Sequence, residues 1–311
     1  GSGTFVVESV IGSVIPPNGR LLVLNNGAYG ARITTISRML GLDTVELHQA
    51  EIESTDLGQV EQMLANDPGI THVAMVHCET TTGMLNPVEA VGEIVHRHGR
   101  EFILDAMSSF GGIPMSMEST GAQYLISSAN KCVQGVPGFG FVVADRATLE
   151  ATEGRARSHS LDLFDQWREM ETKGGKWRFT SPTHVVSAFA QALDELEAEG
   201  GVEARHTRYV ANQRTMVEGM REIGFRTLIG DEVQSPIITS FYYPNAAEFD
   251  FQKLYDALKS RGFVIYPGKV SHAQCFRIGS IGDVHPSDMT QLIGQISEVL
   301  EAMGVCLTVA S

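Results

Sequence analysis

Residues 102–131, FILDAMSSFGGIPMSMESTGAQYLISSANK, contain two short apolar runs that each lead into polar or small residues. The first run, Phe102–Ala106, contains Asp105, and the second, Tyr124–Ser128, is followed closely by Lys131. Continuous apolar runs of this length predict strands of a parallel sheet that is covered on both faces. Ligands of such sheets bind at the carboxyl ends of the strands, so Asp105 and Lys131 are the first candidates for a functional site.

The same alternation of strand and helix patterns extends through the first two hundred residues. Further strands are predicted at Leu21–Asn25, His72–His77 and Phe139–Ala144, with helices at Ala31–Leu40, Leu57–Ala65 and Pro87–His96. Strands that alternate with helices predict an α/β fold with a mostly parallel central sheet between helical layers.

The pattern changes towards the end of the chain. Residues 182–223 are helical almost throughout, with a break near Gly200 and Gly201, and shorter elements follow. The later strands are predicted at Ile237–Tyr243, Phe263–Tyr266 and Cys275–Ile278, and the later helices at Phe249–Ser260 and Pro286–Met303. We therefore predict a large domain at 1–207 and a smaller α+β domain at 208–311.

Composition excludes several classes of protein. The 311 residues include 23 Lys and Arg against 37 Asp and Glu, a net charge of −14, so binding to a nucleic-acid backbone is not expected. Four widely spaced cysteines without a CxxC pattern favour reduced thiols and a cytoplasmic location. No apolar stretch is long enough to predict a membrane span. His96 and His98 are two residues apart and share no helix face, so no metal site is predicted.

The polar residues at the strand ends indicate a cofactor. Lys131 is surrounded by small residues, which leave room for its amine to act as a nucleophile and form a Schiff base. A Schiff-base lysine with an aspartate partner for a pyridinium nitrogen, here Asp105, is typical of pyridoxal 5'-phosphate (PLP) enzymes. Gly1–Thr4 precede a helical stretch and would offer N–H groups to a phosphate. Tyr29 lies in a glycine-bounded loop after a strand, where it would stack on the cofactor ring.

Seven stretches, in this order, resemble the class V, fold-type-I PLP aminotransferases. They are GSGTFVVES (1–9), NNGAYGAR (25–32), HCETTTGMLNP (77–87), DAMSSFGG (105–112), SSANKCVQGVPGFGF (127–141), KWRFTSPTH (176–184) and FRIGSIGDVHP (276–286). Within that class they are most similar to the transaminases that act on 2-aminoethylphosphonate and pyruvate. The alanine–glyoxylate and serine–pyruvate aminotransferases have related motifs and are the alternative within the class.

The resemblance implies a role for each matching residue. Lys131 would carry the cofactor as a Schiff base and later move a proton, Asp105 would keep the pyridine nitrogen protonated, and Arg277 would bind the acid group of the substrate. Further cofactor contacts would come from Tyr29, Thr80 and Met107 at the ring, from Ser2, Gly3, Thr4 and Asn130 at the phosphate, and from Thr180 of the neighbouring subunit of a homodimer. The products would be phosphonoacetaldehyde and L-alanine, as expected in phosphonate catabolism.

One departure from the family pattern leaves a further alternative. Family members have a segment before the glycine-rich phosphate loop, including an arm that crosses the dimer, whereas this sequence starts at the loop. A truncated chain that binds PLP without transferring an amino group is therefore the alternative to an active enzyme.

Overall fold

The computed structural model describes residues 1–270 and 272–307. Its strands are β1 (Arg20–Asn25), β2 (Asp43–His48), β3 (Ile70–Val76), β4 (Cys78–Glu79), β5 (Met84–Leu85), β6 (Glu101–Asp105), β7 (Tyr124–Ser128), β8 (Gly140–Ala144), β9 (Ile238–Tyr242), β10 (Tyr266–Pro267) and β11 (Cys275–Gly279). Its helices are α1 (Gly3–Val14), α2 (Ala28–Met39), α3 (Leu57–Asn66), α4 (Val88–Arg97), α5 (Met117–Thr120), α6 (Arg146–Glu150), α7 (Leu163–Thr172), α8 (Thr183–Glu199), α9 (Gly201–Glu222), α10 (Phe251–Ser260) and α11 (Pro286–Ala302).

The large sheet has six strands in the order β2-β1-β3-β6-β7-β8. The first five strands are parallel and β8 runs antiparallel to β7, so the predicted mostly parallel sheet is confirmed. The chain passes from β1 to β2 on one side and then to β3 on the other side of β1. The loops at the carboxyl ends of β1 and β3 therefore lead in opposite directions, and ligands of open α/β sheets bind between two such loops.

Two apolar layers cover the faces of this sheet. Ile103 and Ile126 point towards α1 and α2, while Phe102 and Leu104 point towards the opposite layer that contains α3 and α4. All four side chains are buried because a strand covered on both faces exposes neither set of alternating residues. Within the described ranges, none of the helices is both long enough and apolar enough to cross a membrane.

A second, antiparallel sheet has the order β10-β11-β9. Its core contains Phe241 and Phe276, whose rings stack 5.8 Å apart, and α9, α10 and α11 also contribute to it. The helical region of 182–223 breaks at Gly200 as predicted. The predicted domain boundary between residues 207 and 208 lies inside α9, and the division into two domains stays a prediction. Residues 271 and 308–311 of the predicted small domain lie outside the described residues.

Three short elements differ from the sequence-based expectation. The edge strand β2 was not predicted, because its residues are partly exposed and carry charges instead of forming an apolar run. The strand predicted at Phe263–Tyr266 is wrong for its first three residues, since pairing with β11 involves only Tyr266 and Pro267. The β4–β5 hairpin has only two paired residues in each strand, too few for a periodic pattern.

The β4–β5 hairpin connects the two sheets. The carbonyl oxygen of Gly83 accepts hydrogen bonds from the Ser235 backbone N–H at 2.8 Å and from Gln234 Nε2 at 3.2 Å. The Leu85 N–H donates to the Val233 carbonyl oxygen at 2.8 Å. The hairpin thereby fixes the loop after β3 against the segment that precedes β9.

Replacing Gly83 with Ala is expected to destabilise the protein more than an ordinary glycine substitution. Gly83 has φ 99°, and an added Cβ would overlap the backbone carbonyl oxygen of Ile238. Gly41→Ala is the matched control, because Gly41 has φ 69° with no atom within 4 Å of the added Cβ. Thermal unfolding should show a loss of about 1–2 kcal/mol for Gly41→Ala from backbone strain alone. For Gly83→Ala we expect a further loss of about 1–3 kcal/mol from the overlap. Equal losses would mean that the hairpin moves away from β9 at no cost.

Candidate active site

Two clefts meet at Lys131, at the carboxyl ends of the parallel strands. Both are lined by Tyr29, Ser108 and Lys131. The first cleft also contains Ser2, Gly3, Thr4, Arg32, Asp105, Met107 and Asn130. The second also contains Thr80, Tyr266, Lys269 and Arg277. The structure therefore brings together every predicted site residue except Thr180, with Lys131 between two chemically different regions.

The beginning of α1 forms one end of the first cleft. Ser2 is the N-cap, and the first turn contains no acidic side chain that would neutralise the positive end of the helix dipole. Arg32 Nη1 donates to Thr4 Oγ1 at 3.3 Å, which adds a cation at the same place. A Cβ at Gly3 would lie 2.9 Å from Met107 Sδ, so a larger residue would enter this space. Backbone N–H groups at a helix N-terminus with a neighbouring arginine form an anion-binding arrangement.

Asp105 ends β6 and is only 5% exposed. Its Oδ1 accepts a hydrogen bond from the Met107 N–H at 2.9 Å. Burial raises the pKa of Asp105 to about 6, and the negative charge of Glu79 contributes, while the Met107 hydrogen bond and the charge of Arg32 oppose the shift. A carboxyl group in this state gains stability from a cationic partner in the cleft.

Glu79 fixes the position of Tyr29 and was missed as a functional residue. Its Oε2 accepts from the Tyr29 N–H at 3.1 Å, and its Oε1 accepts from the Thr81 N–H at 3.2 Å and the Thr81 hydroxyl at 2.7 Å. Burial raises the pKa of this fully buried carboxyl, and the hydrogen bonds from Thr81, Tyr29 and Gly30 act in the opposite direction. Because these groups are all donors, Glu79 connects the first turn of α2 to the loop after β3 as an acceptor.

The turn after β7 presents Lys131 and Asn130. Ser128 Oγ donates to Asn130 Oδ1 at 3.0 Å, which orients the amide beside the first cleft. Two backbone hydrogen bonds close the turn, from the Gln134 N–H to the Lys131 carbonyl oxygen at 2.9 Å and from the Gly135 N–H to the Ala129 carbonyl oxygen at 2.8 Å. Lys131 therefore extends from a turn that is closely tied to the end of β7.

Arg277 lies on β11 in the wall of the second cleft and is 5% exposed. Its Nη1 donates to the Thr80 carbonyl oxygen at 2.7 Å and its Nε to the Pro267 carbonyl oxygen at 3.1 Å. Burial lowers the pKa of this guanidinium group, although the neighbouring Tyr29 and Cys275 oppose the shift. Among the described residues, Arg277 forms no ion pair with a carboxylate, so its charge is available to an anion from the cleft.

Thr180 is the predicted site residue that lies apart from the others. It is exposed, in the segment before α8, and lines neither cleft of its own chain. Because its expected partner is the cofactor of a neighbouring subunit, its role stays a prediction.

Sequence reasoning also missed Arg32, although a signal for it was present. Arg32 lies three residues after Tyr29 in α2, and residues three apart share a helix face. Its guanidinium carbon lies 4.8 Å from the centre of the Tyr29 ring. Glu79 gave no local signal, because its partners at Tyr29 and Gly30 are about fifty positions away in the chain.

Comparisons with known proteins agree with this geometry. The family model described as aminotransferase class-V matches residues 2–275. The chain belongs to the class-V aminotransferases. It is 59% identical over 300 residues to the 2-aminoethylphosphonate–pyruvate transaminase of Vibrio vulnificus strain CMCP6, covering 96% of this chain and 82% of that protein. It is also 59% identical over 304 residues to the enzyme of that name from Syntrophobacter fumaroxidans, covering 98% and 82%.

Solved structures show the same fold. The pyridoxamine–pyruvate aminotransferase of Mesorhizobium loti superimposes with a TM-score of 0.89 at 25% identity, over 99% of this chain and 80% of that one. The aspartate aminotransferase of Thermus thermophilus gives a TM-score of 0.86 at 24% identity, over 97% and 84%. The predicted fold-type-I α/β architecture of a class-V aminotransferase is thereby confirmed.

Asp105→Asn is expected to stabilise the cofactor-free protein above pH 6. The carboxyl has a pKa of about 6 when folded against an ordinary value of 3.8, so ionisation favours the unfolded state as the pH rises through this window. The cost to the wild type reaches on the order of 3 kcal/mol above pH 6 and disappears below pH 4, whereas Asn does not ionise. Thermal unfolding between pH 4 and 8 measures the difference, with exposed Asp256→Asn as the control. A variant that is less stable than the wild type at pH 8 would show that the chain itself compensates the Asp105 charge.

Proposed function

We propose that this chain is a PLP-dependent transaminase that transfers the amino group of 2-aminoethylphosphonate to pyruvate. The observation that carries the proposal is that Lys131 lines both clefts, with the buried Asp105 in the first cleft and the buried Arg277 in the second. The names of relatives that are 56–59% identical over almost the whole chain support the choice of substrates. Phosphonoacetaldehyde and L-alanine follow as products, because the donor loses its amino group and pyruvate gains it.

The residues of the first cleft fit PLP in three separate respects. The N-terminus of α1 and Arg32 suit a phosphate, the buried Asp105 carboxylate suits a protonated pyridine nitrogen, and the Lys131 amine suits an aldehyde. Tyr29 and Met107 would contact the ring, and Thr80, from the adjoining second cleft, its hydroxyl group. Ser2, Gly3, Thr4 and Asn130 would hold the phosphate.

The protein contributes charge placement and proton transfer. When bound, PLP supplies an aldehyde carbon that accepts the amino group and a ring that withdraws electrons from the carbon bearing that group. Asp105 would keep the proton on the ring nitrogen, since its carboxylate gains stability from that positive charge. Lys131 Nζ would hold the cofactor covalently and, once released, would move the proton at the substrate carbon.

Arg277 would bind both substrates in turn. A guanidinium group donates two parallel hydrogen bonds equally well to a phosphonate and to a carboxylate. Because the cleft offers this one buried, unpaired arginine among the described residues, the donor must leave before pyruvate binds. Kinetics of the ping-pong type follow from this shared position.

Arg277→Lys is expected to lower kcat/KM for both substrates by roughly 10²- to 10³-fold, because a lysine cannot form the two parallel hydrogen bonds and leaves buried groups unpaired. The assay is alanine formation from 2-aminoethylphosphonate and pyruvate by the PLP-loaded protein. Arg261→Lys is the control, since Arg261 lies at the end of α10 and pairs with the exposed Glu298.

Three results would contradict the proposal. A wild-type protein that forms no alanine from this pair of substrates would exclude the assigned reaction. Faster transfer from alanine to glyoxylate, or from serine to pyruvate, would favour the alternative substrates within the class. An Arg277→Lys variant with unchanged kcat/KM would remove Arg277 from substrate binding.

We further propose a homodimer in which Thr180 of each subunit reaches the phosphate of its partner. Lys131→Ala and Thr180→Glu should each abolish activity, the first by removing the amine and the second by placing a carboxylate beside the phosphate. Co-refolding the two variants should restore activity, because a mixed dimer contains one site with both Lys131 and Thr180 intact. Recovery would be measured as alanine formation, with dimer content followed by light scattering. An active monomer, or a mixture without activity despite mixed dimers, would exclude the shared site.

A further inference from the structure

The turn after Lys131 contains a strained residue. Among residues 1–270 and 272–307, Gln134 is the one non-glycine residue with a positive φ, at 65°. A left-handed backbone is unfavourable for such a residue, so the surrounding structure must compensate. Strain of this kind is found where a functional group must be held in one position. Because Gln134 lies three residues after Lys131, the contacts that hold this turn also determine where the Lys131 backbone lies.

Two buried side chains of α9 hold the turn. Gln134 Nε2 donates to the Tyr209 hydroxyl at 2.7 Å. Arg205 Nη1 donates to the carbonyl oxygens of Cys132 at 2.9 Å and Val133 at 3.3 Å. Tyr209 is fully buried and Arg205 is 2% exposed, so water does not replace these bonds. Three consecutive residues after Lys131 are therefore bound to one helix.

The charge of Arg205 is balanced by a carboxylate that it shares with Arg208. Glu199 Oε2 lies 2.8 Å from Arg205 Nη2, and Glu199 Oε1 lies 2.7 Å from Arg208 Nε. Burial acts to raise the pKa of the Glu199 carboxyl, but the hydrogen bonds from Arg208 and Arg205 outweigh it and hold that pKa below its usual value. The charge of the buried Arg205 is thus balanced by Glu199, and its Nη1 group donates hydrogen bonds to the turn.

The same helix face holds the segment that follows Arg277. Arg208 Nη1 donates to the carbonyl oxygens of Gly282 at 2.7 Å and Val284 at 2.8 Å. Asn212 Nδ2 donates to the carbonyl oxygen of Val284 at 2.9 Å. This segment comes directly after β11, the strand on which Arg277 lies. One face of α9 therefore contacts both the turn that follows Lys131 and the segment that follows β11, the strand of Arg277.

The Tyr209 hydroxyl joins the two segments directly. It accepts from Gln134 Nε2 at 2.7 Å on one side and from the Gly282 backbone N–H at 3.4 Å on the other, and it donates to the Cys132 carbonyl oxygen at 3.5 Å. A tyrosine hydroxyl has one donor and two acceptor positions, and all three are used.

We propose that Tyr209, supported by Arg205, is a positioning residue that sets the separation between the Lys131 amine and the Arg277 guanidinium group. The inference rests on the proposed function, in which both groups act on one substrate. The acid group of 2-aminoethylphosphonate lies one bond farther from its amino nitrogen than the acid group of alanine does. A fixed separation between Lys131 and Arg277 therefore bears on the choice between these two amino donors.

Tyr209→Phe tests the proposal, because it removes the hydroxyl and keeps the ring. Amide hydrogen exchange of the cofactor-free protein is the first measurement. The amides of Gln134 and Gly135 should exchange roughly tenfold faster in the variant, as expected for the loss of hydrogen bonds that hold the turn. Tyr255→Phe on α10, whose ring packs against Phe251, is the matched control and should leave these amides unchanged. Unchanged exchange at 131–135 in Tyr209→Phe would overturn the proposal, and so would faster exchange throughout both sheets, which indicates general destabilisation.

The second measurement separates positioning from simple stability. With PLP-loaded protein, the ratio of kcat/KM for 2-aminoethylphosphonate to that for alanine as amino donor should change in Tyr209→Phe and stay constant in Tyr255→Phe. Arg205→Lys retains the charge but offers one nitrogen in place of the separate nitrogens that bind the two carbonyls and Glu199, so it should shift the ratio in the same direction. Equal losses for both donors would assign Tyr209 a structural role only. If the wild type transfers no amino group, the proposed function fails, and the exchange measurement alone then decides whether α9 holds the turn.

Discussion

The buried carboxylate of Asp105 is the constraint around which the site is arranged. It lies at the end of a central strand, where water cannot stabilise its charge, and its one direct hydrogen bond given by the structure comes from the Met107 N–H. The opposite charge of Arg32 acts on it only through space, and the negative charge of Glu79 opposes ionisation. A carboxylate in this position is costly to the folded chain unless a cation binds in the cleft. The burial that makes this carboxylate costly in the empty cleft is therefore also what suits it to a pyridinium nitrogen.

The topology of the sheet explains why the other groups converge on this carboxylate. β3 and β6 are parallel neighbours with Val76 opposite Asp105, so the loop after β3 begins beside it. Tyr29 lies in the first turn of α2, just after β1, and Glu79 binds that turn to the loop after β3. The β4–β5 hairpin then extends to the second sheet, where Arg277 contacts the carbonyl oxygen of Thr80. Each contact joins residues that are far apart in the sequence, although all of the contacts lie at or beside the carboxyl ends of the parallel strands.

These separations determine what could be predicted from the sequence. The strands that end at Asp105 and before Lys131 were predictable, because burial on both faces produces an uninterrupted apolar run. The β4–β5 hairpin and the half-exposed β2 were not predictable, since neither produces an apolar run or a regular alternation of apolar and polar residues. Most of the proposed cofactor and substrate contacts came from resemblance to a family and not from the sequence pattern itself. Glu79 and Tyr209 act through backbone groups and loops distant in the chain, which no local pattern encodes.

Two buried arginines of the protein show how the partners of a charge determine its use. Arg205 pairs with the Glu199 carboxylate, so its charge is neutralised within the chain and its remaining N–H groups bind carbonyl oxygens. Arg277 is also buried, but its hydrogen-bond partners are two carbonyl oxygens and its guanidinium carbon lies 6.0 Å from the centre of the Tyr266 ring. These contacts orient the guanidinium group without neutralising it. A carboxylate beside Arg277 would stabilise the empty protein and compete with every anionic substrate. Among the residues that the structure describes, the chain thus accepts a cation without a directly paired carboxylate in one cleft and a carboxylate without a directly paired cation, Asp105, in the other. Lys131 lines both clefts, where a molecule bound to both groups must pass.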